Sequence, residues 1–277
     1  MFNSSPFSSE SSRLGHAFHG SLSVEQLQQQ APAAFATQPD RSRTSAGYAF
    51  ISTRNVIDGL MQAGFEPTHA RQTRARAERA GYARHLIRLR HARESVTLVD
   101  AIPDVCLINS HDATSSYQLR AGLFRPICSN GLLTRIGDFG LLQIAHRGNI
   151  VANVVEGALA LTRGFATIGA LIERMAATRL EEPQRLEFAE QALRIRYGEE
   201  QHIPIDAHSV LLPRRTQDQG SDLWRVFNAT HENLTRGGIA GVSAKGRATR
   251  SRAIHAIREE VRVNTSLWQL AVARINA

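Results

Sequence analysis

The hydrophobic pattern of this 277-residue chain changes its period at about residue 149. Before that point, short apolar segments alternate with polar residues and are separated by Gly, Pro, Asn and Asp, which is typical of strands joined by turns. After it, apolar residues recur every three or four positions from Val151 to Met175, the spacing of a helix with one buried face. The order predicts an α+β fold: a central, mostly antiparallel sheet at about residues 84–146 with a helical C-terminal half packed on it.

The clearest strand signal lies between residues 84 and 90. Its period-two alternation places Ile87 and Leu89 on one face and Arg84, Arg88 and Arg90 on the other. We therefore expect a half-buried strand whose arginines are directed toward solvent or a ligand. Further strands are predicted at residues 95–99, 105–110, 117–124 and 139–146.

Turn and capping residues predict where the helices begin and end. Thr53 or Asn55 is expected to cap a helix that Gly64 ends, and Pro183 to open a later helix. A third C-terminal helix is predicted over residues 221–236. A flexible basic loop is expected at residues 237–249, and a last helical region from residue 250.

Residues 1–46 are rich in Ser, Gln, Ala and Pro. Because such a stretch buries little apolar area against its chain entropy, we predict a disordered polar tail with at most a short helix near residues 22–30. The rest of the chain, residues 47–277, is expected to form a single domain, β-rich over residues 47–149 and helical over residues 150–277.

The sequence favours a cytoplasmic protein that does not enter a membrane. No apolar run reaches the roughly 18–20 residues that span a bilayer, and the N-terminus has no basic region followed by an apolar core. Cys106 and Cys128 lie in strand-like apolar contexts and are expected to be reduced core residues.

Basic residues are concentrated in two segments. All but one of the 33 Lys and Arg residues are arginine, and the chain carries a net charge of +8. Residues 71–93 hold eight arginines and one acid, and residues 236–262 hold seven basic residues and two acids, so these segments carry +12 and the remainder −4. Genomic base composition can explain arginine in place of lysine but not its clustering. The pattern is typical of a surface that binds a polyanion.

We predict that both segments contact the phosphate backbone of nucleic acid, because the planar guanidinium suits bidentate phosphate contact and stacks on bases. Replacing Arg88 and Arg90 by neutral residues is expected to weaken binding without unfolding the protein. The predicted contact residues are Arg71, Arg74, Arg76, Arg79, Arg84, Arg88, Arg90, Lys245, Arg247, Arg250 and Arg252.

A second candidate region is the polar string from Asn109 to Asp112, which follows a predicted strand. It can be a polar turn, a ligand contact or a catalytic group, although neighbouring residues rarely form a catalytic triad. We assign no catalytic residue, and no metal or cofactor is expected because Cys-x-x-Cys and His-x-x-x-His spacings are absent from the sequence. The candidate ligand contacts are Asn109, His111, Asp112, Arg125 and Asn130.

Two strings carry a family resemblance: Arg125-Pro126-Ile127-Cys128-Ser129-Asn130-Gly131 and Asn264-Thr265-Ser266-Leu267-Trp268. Over about residues 47–275 the chain resembles the phage- and plasmid-like proteins called domain of unknown function 932. The setting of that family in mobile elements implies a role in DNA metabolism. A more distant likeness to single-strand annealing proteins implies a curved antiparallel sheet with basic strands.

The leading hypothesis is a non-enzymatic, homo-oligomeric DNA-binding protein of a mobile element that prefers single strands and assists recombination or annealing. One alternative is a metal-dependent enzyme acting on nucleic acid or nucleotides through His111 and Asp112. Another is an interaction protein whose arginines dock on an acidic host protein.

Overall fold

A computed structural model describes residues 20–46, 48–93, 98–125, 132–133, 141–143, 150–199 and 201–275. It confirms the α+β class, with an antiparallel sheet in the middle of the chain and helices in the C-terminal half. The predicted strand at residues 95–99 falls mostly outside the described residues, and only part of that at residues 139–146 lies within them.

The sheet is a chain of antiparallel neighbours. Its strands are β1 (Phe65–Gln72), β2 (His85–His91), β3 (Ile102–Asn109), β4 (Gln118–Phe124), β5 (Leu132–Leu133) and β6 (Leu141–Gln143). The first four strands lie in sequence order, and β5 and β6 both pair with β4. The register pairs Gln72 with His85, His85 with Asn109, and Ile108 with Gln118. The turns before β2 and before β4 therefore lie at the same end of the sheet.

Within the described residues, three helices precede or interrupt the sheet: α1 (Val24–Gln30), α2 (Thr53–Gln62) and the short α3 (Ala77–Ala80). The C-terminal half contains α4 (Ile150–Arg163), α5 (Phe165–Ala177), α6 (Glu182–Tyr197), α7 (Ala207–Leu211), α8 (Leu223–Arg236) and α9 (Ile257–Arg274). The described part of the chain also has 3-10 turns at Pro32–Phe35 and Thr216–Asp218.

The capping residues explain where these helices begin and end. The α2 helix is capped by Ser52, one residue before the predicted Thr53, because the Ser52 hydroxyl accepts from the backbone N–H of Asn55. Gly64 follows α2 with a φ of 89°, a conformation that favours glycine, as predicted. Pro183 lies in the first turn of α6, where its missing N–H costs little.

The prediction of a disordered tail is wrong for residues 20–46, although the short helix within it is confirmed. Ser23 begins α1 with a capping box, and Leu27 is fully buried. The side-chain carbonyl of Gln30 accepts from Ala70 N–H at 3.2 Å, and that of Gln72 accepts from Ala33 N–H at 2.8 Å. Glutamine side chains thus join this segment to β1, the edge strand, and compensate for its low apolar content.

Two C-terminal predictions are also corrected. Residues 237–249 are not a flexible loop, because strands β7 (Ala240–Val242) and β8 (Ala248–Arg250) pair as an antiparallel hairpin. The last helix begins at Ile257, seven residues later than predicted, and continues without interruption to Arg274.

The sheet has apolar residues on both faces. Ile87 and Leu89 lie in the main core together with α2, α4, α5 and α8, as the alternation of β2 predicted. On the opposite face a smaller cluster joins Leu86, Cys106, Ile108 and Phe124 to Ile257 of α9. Helix α9 therefore covers part of the face that was expected to be open to solvent or ligand.

Helices α4 and α5 together form the apolar stretch Ile150–Ala177, which by length and composition alone is sufficient to cross a membrane. This corrects the expectation that no stretch reaches that length. Within it, Val154, Ala158, Ile168 and Ile172 are fully buried in the main core. One face of the stretch therefore packs into the main core.

Candidate nucleic-acid interface

The arginines of β2 are held by a buried carboxylate. Arg88 and Arg90 both donate to Asp104, through bonds of 2.7–3.2 Å, and the Asp104 side chain is fully buried. The Arg88 guanidinium also lies 3.2 Å from the centre of the Phe124 ring. Their side chains are only 15% and 16% exposed. The expectation that they face solvent is therefore wrong, and we now expect that replacing them lowers the stability of the protein.

Other predicted contact residues also have intramolecular partners. Arg71 forms an ion pair with Glu260 of α9, and Arg84 donates to the backbone carbonyl of Thr114. Arg125 is paired with Asp100 and Asp218, so its guanidinium holds loops together. A further set of predicted contact residues has exposed side chains, although Arg250 also donates to the Gly238 carbonyl at 2.8 Å: Arg74, Arg76, Arg79, Lys245, Arg247, Arg250 and Arg252.

The structure places three arginines around a groove beside the β7–β8 hairpin, which we call the hairpin groove. Arg196, Arg250 and Arg252 line it together with Tyr197 and His202, and its volume is about 540 Å³. None of its lining residues in the described part of the chain is Asp or Glu. The groove thus combines cations with aromatic surfaces on which a base can stack.

Close packing fixes the hairpin against the segment before α7. Val242 N–H donates to the Pro204 carbonyl at 2.8 Å, and His202 Nε2 donates to the Val242 carbonyl at 2.7 Å. A Cβ atom at Gly241 would lie 1.8 Å from the Pro204 carbonyl oxygen, so only glycine permits this approach. The hairpin, which carries Arg250 on one side of the groove, is therefore held in a fixed position against this segment.

A second groove lies between the sheet and the start of α9, and we call it the helix groove. Arg84, Arg120 and Arg258 line it with hydroxyl and amide side chains, and its volume is about 360 Å³. Here too, no described lining residue is acidic. Arg84 comes from the first basic segment and Arg258 from the second, so the fold brings the two segments together.

Residues 251–256, which form neither helix nor strand, connect the two grooves along the chain. Arg252 opens this segment in the hairpin groove, and Arg258 follows it in the helix groove. Arg74, Arg76 and Arg79 lie in the connection between β1 and β2, at the end of the sheet where the helix groove also lies. Cationic side chains therefore lie at the hairpin, in both grooves and at the end of the sheet beside the helix groove.

Sequence reasoning missed several of these groove residues. Arg120 and Arg196 stand outside both basic segments, and no pattern in the chain marks Tyr197 or His202. Arg258 lies inside the second segment, and its local charge was the available signal.

The polar string Asn109–Asp112 contributes to a buried group that we call the Thr53 cluster: Thr53, His85, Asn109 and His111. The Thr53 hydroxyl lies 3.0 Å from His85 Nε2, 3.2 Å from His111 Nε2 and 3.2 Å from Asn109 Nδ2. All four side chains are 3% exposed or less. Asn109 and His111 therefore serve the interior of the domain, and Asp112 caps the following turn by accepting from Thr114 N–H at 3.1 Å.

The hydrogen-bond geometry of the Thr53 cluster assigns each proton. His85 Nδ1 lies 3.0 Å from the Ala83 carbonyl and must donate to it, so neutral His85 accepts from the Thr53 hydroxyl through Nε2. Because a hydroxyl has one proton, Asn109 and His111 Nε2 both donate to Thr53. Burial lowers the pKa of His85 to about 3 and of His111 to about 4, which keeps both rings neutral.

The two strings that carry the family resemblance have different positions. In the first, only Arg125 lies within the described residues; Asn130 lies outside them. In the second, the buried Asn264 Oδ1 is 2.8 Å from His231 Nε2, and Trp268 is fully buried in the core. The second string therefore builds the packing of α9 against α8.

Comparison with known proteins identifies the family. Residues 41–268 match the family described as a domain of unknown function, DUF932. UPF0380 protein YfjQ of Escherichia coli (strain K12) is 38% identical over 251 residues, 90% of each chain. UPF0380 protein YafZ of the same organism is 38% identical over 253 residues, 91% of each chain. No solved structure matches the chain. The chain thus belongs to the DUF932 family.

Proposed function

We propose that this protein binds single-stranded DNA, with the phosphate backbone running along the hairpin groove and the helix groove. The observation that carries the proposal is that six arginines line these two grooves, while their described lining residues include no carboxylate. One of the six, Arg196, is paired with Glu259, which lines neither groove. Contacts of this kind neutralise phosphates whatever the base sequence.

The shape of the grooves favours a single strand over a duplex. Each groove is a small concavity bounded by side chains, and a flexible strand can bend into it whereas a rigid duplex rests only on its rim. In the hairpin groove, Tyr197 and His202 offer ring faces beside Arg250. Stacking of bases on such rings adds affinity that does not depend on sequence.

The resemblance to phage- and plasmid-like proteins favours DNA as the nucleic acid, and we place the protein in the cytoplasm on that basis. We further propose that it acts as a homo-oligomer, since proteins that coat single strands commonly bind cooperatively. A role as an accessory of recombination or annealing is the narrower form of the same proposal.

Fluorescence anisotropy with a labelled single strand and the matching duplex, across a salt series, tests the proposal. We expect tighter binding of the single strand, with log affinity falling by about 0.7 for each tenfold rise in salt per neutralised phosphate. Arg250→Gln/Arg252→Gln should weaken binding and reduce this slope. The control Arg163→Gln/Arg179→Gln removes the same charge from exposed arginines outside both grooves and should retain binding.

Two results would count against the proposal. Equal loss of affinity in the groove and control variants would show that binding depends on net charge alone. Absence of binding at low salt would remove DNA as the ligand and favour an acidic protein partner for the same arginines.

A further inference from the structure

We propose that the helix groove binds a phosphomonoester dianion, the phosphate at the end of a DNA strand. This rests on the proposed function, because the strand is held by the hairpin groove while its end lies in the helix groove. The inference starts from three cations that come from separate elements: Arg84 before β2, Arg120 in β4 and Arg258 in the first turn of α9.

The orientations of two of these arginines are fixed within the fold. Arg84 donates through Nη2 to the Thr114 carbonyl, and its buried Nε has no hydrogen-bond acceptor among the described residues. Arg120 is 8% exposed, and its Nε donates to Gln118 Oε1 at 3.1 Å. Arg258 is exposed at the opposite wall. The groove is therefore arranged before a ligand arrives, which lowers the entropic cost of binding.

Two of these cations, Arg84 and Arg258, are close enough to repel each other. Burial lowers the pKa of the Arg84 guanidinium, repulsion from Arg258 lowers it further, and Asp112 acts in the opposite direction. An anion between Arg84 and Arg258 would relieve that repulsion. Glu260 and Glu259 do not supply it, because Glu260 is paired with Arg71, and Glu259 with Arg196 and Arg262.

Neutral donors complete the site. The Ser116 hydroxyl oxygen accepts from Gln118 Nε2 at 3.1 Å, so its own proton can be donated to a ligand. The α9 helix begins at Ile257, next to the groove, and Ala256 at its N-cap forms no side-chain hydrogen bond. The first backbone N–H groups of α9 and its dipole thus favour negative charge at this end.

Charge and size point to a terminal phosphate. The two cations Arg84 and Arg258, beside a helix N-terminus, match two negative charges better than the single charge of an internal phosphodiester. A volume of about 360 Å³ exceeds what a phosphate group occupies and leaves space for the nucleoside that carries it. A free mononucleotide presents the same chemistry, so the experiment separates the two sources.

The test uses one internally labelled single strand in three forms: 5′-phosphate, 3′-phosphate and hydroxyl at both ends. At fixed salt we expect one phosphorylated form to bind the wild-type protein about tenfold more tightly than the hydroxyl form, the gain of a charge-assisted contact. Arg258→Gln should abolish that preference. Arg252→Gln, in the hairpin groove, should weaken all three forms and keep it.

The possible results separate a wrong assignment of the terminal-phosphate site from a wrong assignment of DNA binding. Equal affinity for all three forms, or a preference that persists in Arg258→Gln, would overturn the terminal-phosphate site while DNA binding stood. If no strand binds but deoxyadenosine monophosphate stabilises the wild type and not Arg258→Gln against heat, the phosphomonoester site stands and DNA binding fails. The melting temperature of Arg258→Gln should equal or slightly exceed that of the wild type, because the substitution removes the charge that repels Arg84.

Discussion

Replacing Asp104 by Asn removes the charge that holds two arginines of β2 and changes the volume of the side chain little. Five hydrogen bonds reach its carboxylate: four from the Nε and Nη2 atoms of Arg88 and Arg90, and one from the Thr68 hydroxyl at 3.4 Å. In Asp104→Asn both guanidinium groups lose the negative charge of Asp104 at a place where each is 16% exposed or less. We expect the variant to be strongly destabilised.

The magnitude follows from the burial of this group. Removing one partner of a buried ion pair costs about 3–5 kcal/mol, because the remaining charge is left uncompensated. Asp104 is fully buried, but the arginines keep a small contact with water, so we expect the lower end, about 3 kcal/mol. That is a large share of the roughly 5–15 kcal/mol by which domains are stable.

Urea unfolding followed by tryptophan fluorescence measures this loss, since Trp224 and Trp268 are both buried in the core. With a slope of about 2 kcal/mol per M, the midpoint should fall by about 1.5 M. Asp58→Asn is the matched control, because its pair with Arg54 is exposed, at 38% and 39%, and should be worth about 0.5 kcal/mol. If Asp104→Asn cost no more than Asp58→Asn, the assignment of Arg88 and Arg90 to a structural role would be wrong.

Two further outcomes are expected. His85 and His111 have folded-state pKa values of about 3 and 4, below the unfolded value of about 6.5, so the unfolded chain binds more protons between those limits. The unfolding free energy should therefore fall as pH drops from 6.5 toward 4, by up to about 1.4 kcal/mol per pH unit per histidine. A urea midpoint that stays constant from pH 7 to 5 would contradict this prediction. Gly241→Ala should displace the hairpin from Pro204, which limited proteolysis would detect as earlier cleavage at residues 240–250. The control Gly246→Ala is strained but faces open space, so it should leave the contact with Pro204 intact.

The alternation of β2 predicted correctly which residues share a face but not what covers each face. Ile87 and Leu89 lie in the main core as expected. The arginine face is covered by α9, which is about 170 residues away along the chain, and its counter-charge Asp104 lies on the neighbouring strand. Local periodicity predicts neither the covering helix nor the partner carboxylate, because these depend on strand register and on the docking of a distant helix.

Composition gave the wrong boundary at the N-terminus for a similar reason. The rule that polar, Ser- and Gln-rich segments stay disordered assumes that such residues have only water as a partner. Here Gln30 bonds to the backbone of β1, and Gln72 of β1 bonds back to Ala33. An edge strand with unpaired backbone groups can thus order a segment that its own apolar content would not.

The charge pattern predicted that the protein has a basic surface, but not which residues form the candidate interface. The two basic segments do meet at α9, yet part of their charge is used internally, by Glu260 for Arg71 and by Asp104 for the arginines of β2. Arg120 and Arg196 complete the grooves from outside both segments, and isolated arginines carry no signal in the sequence.

This division of the arginines has a measurable consequence for salt dependence. If all eleven predicted basic residues contacted phosphates, the log–log slope on single strands would be about 8. A strand held by the six groove arginines gives about 4, and each exposed contact, such as Lys245 or Arg247 at the hairpin tip, adds about 0.7. The six groove arginines together with the five exposed residues Arg74, Arg76, Arg79, Lys245 and Arg247 also give about 8, so only a slope above about 8 would require Arg88 and Arg90 to leave Asp104, at the cost of a buried uncompensated carboxylate. The slope therefore counts the basic residues that contact phosphates, and a value of about 8 or less can be reached without the arginines that the fold keeps for itself.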